Sequence, residues 1–214
     1  MDWDSKQATK DPYVRFRFGI PNSQGRADFA FIQHMFSCLD ENGQAAILCP
    51  FGILFREFEE AKIRENMIRE DIIEGIISLP SKIFYGTGIP ACILILNKNK
   101  TKERKNKIIF IDAAKNYQEE KARNIIRKED IEKVVSAFKN YKNLKNYYIA
   151  DFEELKENMF NLNVPRYVDN SQENETDDIQ NLIYEIERIE KDLLMISNRV
   201  RSDLQDLGFT INQT

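Results

Sequence analysis

Four short and almost wholly apolar segments limit the folds open to this chain of 214 residues more than any other feature. They are "QAAILCP" at 44–50, "IIEGIISLP" at 72–80, "ACILILNK" at 91–98 and "IIFIDA" at 108–113. Each segment has the length of a strand, and none shows the polar alternation of a strand with one face in water. The pattern predicts strands that are covered on both faces, as in a parallel sheet.

Two helices are predicted around the first of these strands. In "DFAFIQHMFSCL" the apolar side chains recur at helical spacing from Asp28, which suits an N-cap, and Gly43 suits the turn after the helix. The segment "FGILFREFEEAKIRENMIRE" at 51–70 predicts a second helix. The order helix, strand, helix and then three strands places the chain in the α/β class. The last strands have short connections, which favours an antiparallel arrangement.

Composition excludes several classes of function. With a net charge of −4, the chain lacks the basic field of a stand-alone nucleic-acid binder, so DNA contact requires a local patch or a partner. His34 is the single histidine, which argues against a histidine-based metal site and favours an ordinary helix-face residue. Cys38, Cys49 and Cys92 lie in apolar segments without CxxC spacing, which predicts buried free thiols in a reducing compartment. No apolar run is long enough to span a membrane, so we expect a cytoplasmic chain.

The C-terminal part of the chain follows a different pattern. Residues 115–160 are highly charged and predicted to be helical, 160–169 are irregular, and 170–178 form a polar linker. Beyond the linker, apolar residues recur at alternating spacings of three and four, which predicts a heptad helix over 179–207. Its stripe comprises Ile179, Leu182, Ile186, Ile189, Leu193, Ile196 and Val200. Such a stripe must be buried, either on the predicted helix at 115–139 of its own chain or in a coiled coil with a partner.

Familiar cofactor and catalytic motifs are missing. The sequence contains no GxGxxG or GxxxxGK[ST] loop before a helix, and one histidine does not support a Ser–His–Asp or Cys–His set. The residues alone predict an α/β half-domain at 1–114, a helical and irregular extension at 115–169 and a coiled-coil-like tail.

The same segments, in order, resemble a known family. The order "ADFAFIQHMFSCLDENGQAAILCPFGILFR", "IREDIIEGIISLPSKIFYGTGIPACILILNKNK", "IIFIDA" and "FNLNVPRYVD" is similar to the modification (M) subunit of type I restriction–modification systems. Members of that family are adenine-specific N6 DNA methyltransferases that use S-adenosylmethionine. The resemblance implies a doubly wound, Rossmann-like class I methyltransferase sheet with an antiparallel last strand. Segment 44–50 would be its fifth strand, 72–80 its sixth and 91–98 its reversed seventh.

Two motifs that the family needs are absent from this sequence. The glycine-containing loop for S-adenosylmethionine is missing, and so is the Asn-Pro-Pro-aromatic motif that holds the target amine; Asp11-Pro12-Tyr13 lacks the second proline. The resemblance therefore implies a C-terminal part of an M subunit that begins just after that motif. We expect no catalytic residue in this chain, no tightly bound cofactor and no activity of the chain alone.

The resemblance also implies partners. The specificity (S) subunit, which reads the DNA sequence, would dock on the heptad helix, and the restriction (R) subunit and DNA would join the complex. The alternative is a non-catalytic interaction module that binds the S subunit or self-associates. Since segment 44–50 would lack a neighbouring strand, we expect a homodimer through this open edge or an edge covered by residues 1–26.

The loop "KIFYGTGIP" before the third strand is the main candidate site. In base-flipping adenine methyltransferases an aromatic side chain in this loop stacks on the extruded base, which the resemblance assigns to Phe84, with Tyr85 as the rival. Gly86 and Gly88 would let the backbone turn close to a ligand. The alternative is a core residue at Phe84 that caps the sheet.

A second candidate lies after the first strand. Pro50 and Gly52 end that strand, and ligands of open α/β sheets bind beyond the carboxyl ends of strands. Arg56 follows them and could meet a phosphate or a partner, or form a surface ion pair. The basic turn 98–107 is interpreted either as a solvated hairpin or as a contact to the DNA backbone.

Overall fold

The computed structural model describes residues 4–22, 27–141 and 146–168, together with helical residues 186–191, 193, 195–197 and 200. The chain divides into two compact units, 1–169 and 170–214. The first unit holds the sheet, and the described part of the second unit is helical.

All four apolar segments form strands, which confirms the α/β class. In chain order the elements are α1 (Ser5–Ala8), α2 (Asp28–Ser37), β1 (Gln44–Pro50), a 3₁₀ helix (Phe51–Leu54), α3 (Glu59–Arg69), β2 (Ile73–Ser78), β3 (Ala91–Asn97), β4 (Lys107–Asp112), α4 (Lys128–Asn140), β5 (Tyr147–Asp151), α5 (Phe152–Glu157) and a second 3₁₀ helix (Val164–Arg166).

The strands form one mixed sheet in the order β1-β3-β2-β4-β5. Strand β3 is antiparallel to both of its neighbours, β1 and β2, as the sequence predicted for a reversed strand. The prediction that β4 is also antiparallel to β3 is wrong, because β4 lies on the far side of β2 and runs parallel to it. Strands β1, β2 and β4 therefore all finish at the same end of the sheet, called here the carboxyl end.

Strand β5 was not predicted. Residues 115–160 were expected to be helical, but the segment Tyr147–Asp151 pairs antiparallel with β4. Tyr147, Tyr148 and Ile149 match strand propensity, but charged residues surround the segment and hide the signal. Its pairing with β4 depends on a long-range contact that local periodicity does not report.

The two faces of the sheet are covered differently. Helices α2 and α3 pack on one face, where the larger core cluster includes Phe29, Met67 and Phe110. On the other face α4 packs Ala137 and Phe138 in a smaller cluster over β2 and β4. On β1 the exposed side chains include Leu48, whose side chain remains 53% exposed. No described strand other than β3 pairs with β1, so the outer edge of β1 is open within the described ranges.

Two helix starts differ from the prediction. Asp28 is the first residue of α2, and Ala27 holds the N-cap position. Asp28 bonds instead to the guanidinium of Arg56, which lies far away in sequence. The second predicted helix splits into Phe51–Leu54 and α3, and Phe58 between them has a φ of 61°, which interrupts helical geometry.

The cysteines correct one expectation and meet another. Cys38 is exposed, contrary to the prediction, because it follows the last turn of α2 rather than lying on its buried side. Cys49 and Cys92 are buried and lie directly opposite each other on β1 and β3. Burial raises the pKa of both thiols, that of Cys49 to about 12.

Five members of the heptad stripe fall among the described helical residues. Their side chains are 50–66% exposed; they are Ile186, Ile189, Leu193, Ile196 and Val200. Ile179 and Leu182 lie outside the described residues. No helix in the part of the chain that the structure describes is long and apolar enough to cross a membrane.

Candidate functional site

The two predicted site segments meet at the carboxyl end of the sheet. Pro50 is the last residue of β1 and lies opposite Ala91, the first residue of β3. The loop 79–90 connects β2 to β3 at this same end, beside the segment that follows β1. Ligands of open α/β sheets bind at this position, so the topology brings both candidates into one region.

The loop 79–90 is closed at its base and turns at its tip. The Leu79 amide donates a hydrogen bond to the Ala91 carbonyl oxygen at 2.9 Å. Gly86 has a φ of 76°, a conformation that side chains other than glycine rarely adopt. An added Cβ at Gly88 would meet only the Lys82 Cγ at 3.8 Å, an ordinary contact. Of the two predicted glycines, Gly86 is therefore the one that the backbone requires.

The two aromatic side chains of the loop differ in exposure. Phe84 is 38% exposed and lines a groove of about 620 Å³. The groove walls are mainly aliphatic and include Ile77, Ile83, Ile93, Ile126 and Val134. Tyr85 is 75% exposed, and the guanidinium carbon of Arg123 lies 4.5 Å from its ring centroid. Phe84 is thus half-buried beside the groove, and Tyr85 presents the more open ring.

A short hairpin, which the sequence did not predict, is hydrogen-bonded to this loop. Gln118 and Ile125 pair with each other through two backbone hydrogen bonds of 2.8 and 2.9 Å. The neighbouring Asn124 is buried, and its Nδ2 donates to the Ser81 carbonyl oxygen at 2.8 Å. Its backbone amide donates to the Lys82 carbonyl oxygen at 2.8 Å. A single bridge in a charged segment leaves no periodic signal, so pattern analysis missed it.

Arg56 is engaged by carboxylates after the end of β1. Its Nη1 lies 2.7 Å from Asp28 Oδ2 and 3.4 Å from Glu60 Oε2. The guanidinium also covers Gly52, where an added Cβ would lie 2.6 Å from Arg56 Nε. Arg56 therefore forms an ion pair, which is one of the two interpretations of this residue. The absence of a side chain at Gly52 leaves space for the guanidinium.

A buried cation that the sequence analysis did not single out supports the segment after β1. Arg64 on α3 donates from Nη1 to the carbonyl oxygens of Ile53 and Arg56, at 3.1 and 3.0 Å, and from Nε to that of Phe160 at 2.9 Å. Burial lowers its pKa to about 10, so it stays charged at neutral pH. Arg64 thus ties the "FNLN" segment to the backbone beyond Pro50, and the amide of Leu162 adds a bond to the Leu54 carbonyl oxygen at 2.8 Å.

An acidic side chain links β2 and β4 at this end. Ser78 Oγ donates to Asp112 Oδ1 at 2.5 Å, and the Ala113 amide donates to Ser78 Oγ at 3.2 Å. The Ala114 amide also donates to Asp112 Oδ1 at 2.9 Å. Asp112 is therefore held in a local structural network.

The basic turn 98–107 lies at the opposite end of the sheet. Lys100 is buried and pairs with Asp71 at 2.5 Å. Arg104 Nη1 lies 2.9 Å from Oε1 of the buried Glu74. These cations are not simply solvated: Arg104 joins Glu74 on β2 to the end of α4, and Lys100 joins Asp71 to the start of β4.

His34 and possible metal ligands add nothing to the site. His34 is exposed on α2, with its Nδ1 3.3 Å from Arg15 Nη1. Within residues 4–22, 27–141, 146–168 and the described helical positions, no group of three or more histidine, cysteine, aspartate or glutamate side chains could hold a metal ion.

Comparisons with known proteins agree on one family. The sequence profile described as N-6 DNA Methylase matches residues 1–176. The chain is 36% identical to a type I restriction enzyme methylase subunit of Methanocaldococcus jannaschii, over 93% of this chain and 34% of that protein. It is 34% identical to a type I restriction enzyme methylase subunit of Mycoplasma pneumoniae, over 91% of this chain and 36% of that protein.

A solved structure gives the same result. The methyltransferase subunit of a type I restriction–modification system from Streptococcus thermophilus superposes with a TM-score of 0.73 at 40% identity. The superposition covers 79% of this chain and 36% of that one. The chain spans about a third of the length of the curated relatives described above.

Proposed function

The chain belongs to the N-6 DNA methylase family, and we propose that it is the C-terminal part of the M subunit of a type I restriction–modification system. The whole subunit transfers a methyl group from S-adenosylmethionine to N6 of adenine in DNA. This chain supplies part of the doubly wound catalytic sheet and, alone, is inactive.

The strand order is the observation that carries this proposal. Parallel strands β1 and β2 are joined through α3, and the reversed strand β3 lies between them. This order suits the fifth, seventh and sixth strands of a class I methyltransferase sheet. The outer edge of β1 then belongs beside a strand of the remaining polypeptide, in keeping with relatives about three times as long.

Phe84 is the proposed contact to the target base. A flat apolar ring that is 38% exposed at the carboxyl end of the sheet can stack on an extruded adenine. Stacking on an aromatic side chain contributes roughly 1–3 kcal/mol per base. Tyr85 is more exposed and remains the rival for this role.

The described residues do not fit a complete S-adenosylmethionine site. None of the described connections from a strand to a helix is a glycine-rich loop, and Arg56 already fills the space over Gly52 after β1. We therefore assign cofactor binding to polypeptide outside this chain, and expect none bound tightly to the chain alone.

The heptad helix is the proposed contact to the S subunit. Its described apolar side chains, from Ile186 to Val200, are half or more exposed, which is unfavourable in water for a regular stripe. A coiled coil with helices of the S subunit would bury them. The R subunit and DNA would join through the assembled complex.

The alternative function is a non-catalytic interaction module. The open edge of β1 supports it, because an unpaired strand edge favours pairing with a second copy. In that case Leu48→Lys, on the exposed part of β1, should weaken a homodimer measured by sedimentation. The matched control is Lys102→Glu in the turn at the opposite end of the sheet.

Two measurements test the main proposal. Calorimetry of this chain with S-adenosylmethionine should show no binding, and clear micromolar binding would contradict the absence of the cofactor site. Co-expression with a polypeptide that covers the rest of the Mycoplasma pneumoniae relative, together with its S subunit, should give adenine methylation that neither half gives alone. A soluble reconstituted complex with no methylation would favour the interaction module.

A further inference from the structure

The hairpin 118–125 fixes the start of the loop 79–90 from outside that loop. Asn124 is 6% exposed, and it donates from Nδ2 to the Ser81 carbonyl oxygen and from its backbone amide to the Lys82 carbonyl oxygen. Both bonds are 2.8 Å long and lie just before the aromatic pair. The side-chain amide and the backbone amide of this buried residue thus bond two consecutive carbonyl oxygens, which restricts the direction in which the loop leaves β2.

Arg123, the preceding residue, holds one face of the Tyr85 ring. Its guanidinium carbon lies 4.5 Å from the ring centroid, within the range of a cation–π contact. Tyr85 is nevertheless 75% exposed, so most of the ring remains accessible to a further planar group. The pair thus places an exposed aromatic ring and a guanidinium in close contact next to Phe84.

The charges around this pair are mixed. Lys82, Lys121 and Arg123 share the surface with Glu119 and Glu120. Because the two signs of charge are mixed, this surface has no general attraction for phosphate. Stacking of a base on an aromatic ring does not require such an attraction. The chemistry that fits is an unstacked nucleobase, which presents a π-face whatever its identity.

We propose that the hairpin 118–125 and the loop 79–90 form one stacking surface for unstacked nucleobases of DNA. Tyr85 with Arg123 provides a second stacking position beside Phe84. Asn124 is a positioning residue that holds the loop in place through its hydrogen bonds. The inference rests on the proposed function in one respect, the identity of the ligand as DNA.

The positioning role is tested on the full chain without DNA. Chymotrypsin cleaves after Phe and Tyr, and cleavage at Phe84 and Tyr85 in the native chain requires the loop to open. Asn124→Ala should raise the rate of cleavage at these two bonds about tenfold, since the loop loses an anchoring bond, while the thermal midpoint falls by only a few degrees. Asn99→Ala is the matched control, because it removes an exposed hydrogen bond, donated by the Asn99 side-chain amide, at the other end of the sheet. An unchanged cleavage rate in Asn124→Ala would overturn the positioning role.

The stacking role is tested with a single-stranded oligonucleotide that contains 2-aminopurine, whose fluorescence falls on stacking. Tyr85→Ala and Arg123→Ala should each weaken the quenching at least fivefold in affinity. Arg123→Lys, which keeps the charge but loses the plane, should resemble Arg123→Ala more than wild type. Lys121→Ala serves as the charge control and should change affinity less than twofold.

The outcomes separate the inference from the proposed function. If Phe84→Ala abolishes quenching and the Tyr85 and Arg123 variants match wild type, the second stacking position is wrong and the proposed role of Phe84 stands. If wild type itself gives no quenching, the nucleobase surface is overturned together with the base contact. Reconstituted methylation would still be a separate measure of the family activity.

Discussion

Arg64 is a buried cation whose hydrogen bonds support the candidate site. Its side chain is buried, and its guanidinium donates to three backbone carbonyl oxygens from two distant segments. Removing it leaves those oxygens without their donor, and each buried unsatisfied group costs about 1–3 kcal/mol.

We expect Arg64→Ala to lower the free energy of unfolding by about 3 kcal/mol in urea titrations. Lys62→Ala on the same helix removes an exposed pair with Glu59 and should cost less than about 0.5 kcal/mol. Arg64→Lys keeps the charge but not the fork of donors, so its stability should fall between wild type and Arg64→Ala. Equal stability of Arg64→Ala and wild type would contradict a stabilising role for these three hydrogen bonds.

The cysteines give a second test at this scale. Because burial raises the pKa of Cys49 and Cys92, neither forms a thiolate at about pH 8, whereas Cys38 is exposed. A thiol reagent should therefore label Cys38 alone in the native chain and all three cysteines in denaturant. Rapid native labelling of Cys92 would show that β1 and β3 separate readily.

At the scale of elements, α4 depends on a charged cap. Arg127 is the N-cap, and its backbone amide and guanidinium donate to the carboxylate of the buried Asp130. This bonding lowers the pKa of Asp130 below its usual value. A lowered pKa in the folded state stabilises the fold above the unfolded-state pKa of about 3.9 and loses that effect as the pH falls below it.

Asp130→Asn should therefore reduce the urea midpoint at about pH 7, and its difference from wild type should shrink as the pH falls below the unfolded-state pKa of about 3.9. The control is Glu132→Gln, whose exposed side chain lies 3.8 Å from Lys128, and it should leave the midpoint nearly unchanged in both pH ranges. A deficit in Asp130→Asn that persists at low pH would mean that packing, not the charged cap, explains the loss.

The same scale shows why two elements were mispredicted. The sequence of the turn 98–107 suggests a solvated basic hairpin. In the fold, however, Lys100 pairs with Asp71 and Arg104 pairs with Glu74. Strand β5 is only five residues long, lies among charged residues and is stabilised by pairing with the edge of β4. Both outcomes depend on partners distant in sequence.

At the scale of the whole molecule, two features leave apolar side chains or strand hydrogen-bonding groups exposed. The described heptad side chains are exposed and β1 has an open outer edge among the described strands. An exposed apolar stripe and an unpaired strand edge are both features that favour association with other polypeptides.

Substituting Ile189→Asp and Ile196→Asp together should weaken capture by the S subunit more than about tenfold, because two charges would enter the buried seam. Lys191→Asp, outside the stripe, is the matched control and should change capture less than about threefold. Circular dichroism should show that the sheet is intact in both variants. Wild-type affinity in the double variant would exclude the heptad helix as the S-subunit contact.

The sequence by itself determined the four apolar strands, the reversed β3, the position of the aromatic loop before it and the family resemblance. These features depend on local hydrophobic patterning and on motif order, which a linear chain carries in full. Only the tertiary structure decided that β4 pairs with β2, that Arg56 joins Asp28, and that Asn124 anchors the loop. Each of these joins residues far apart in sequence, and the partner of a polar group is chosen by packing rather than by its neighbours in the chain.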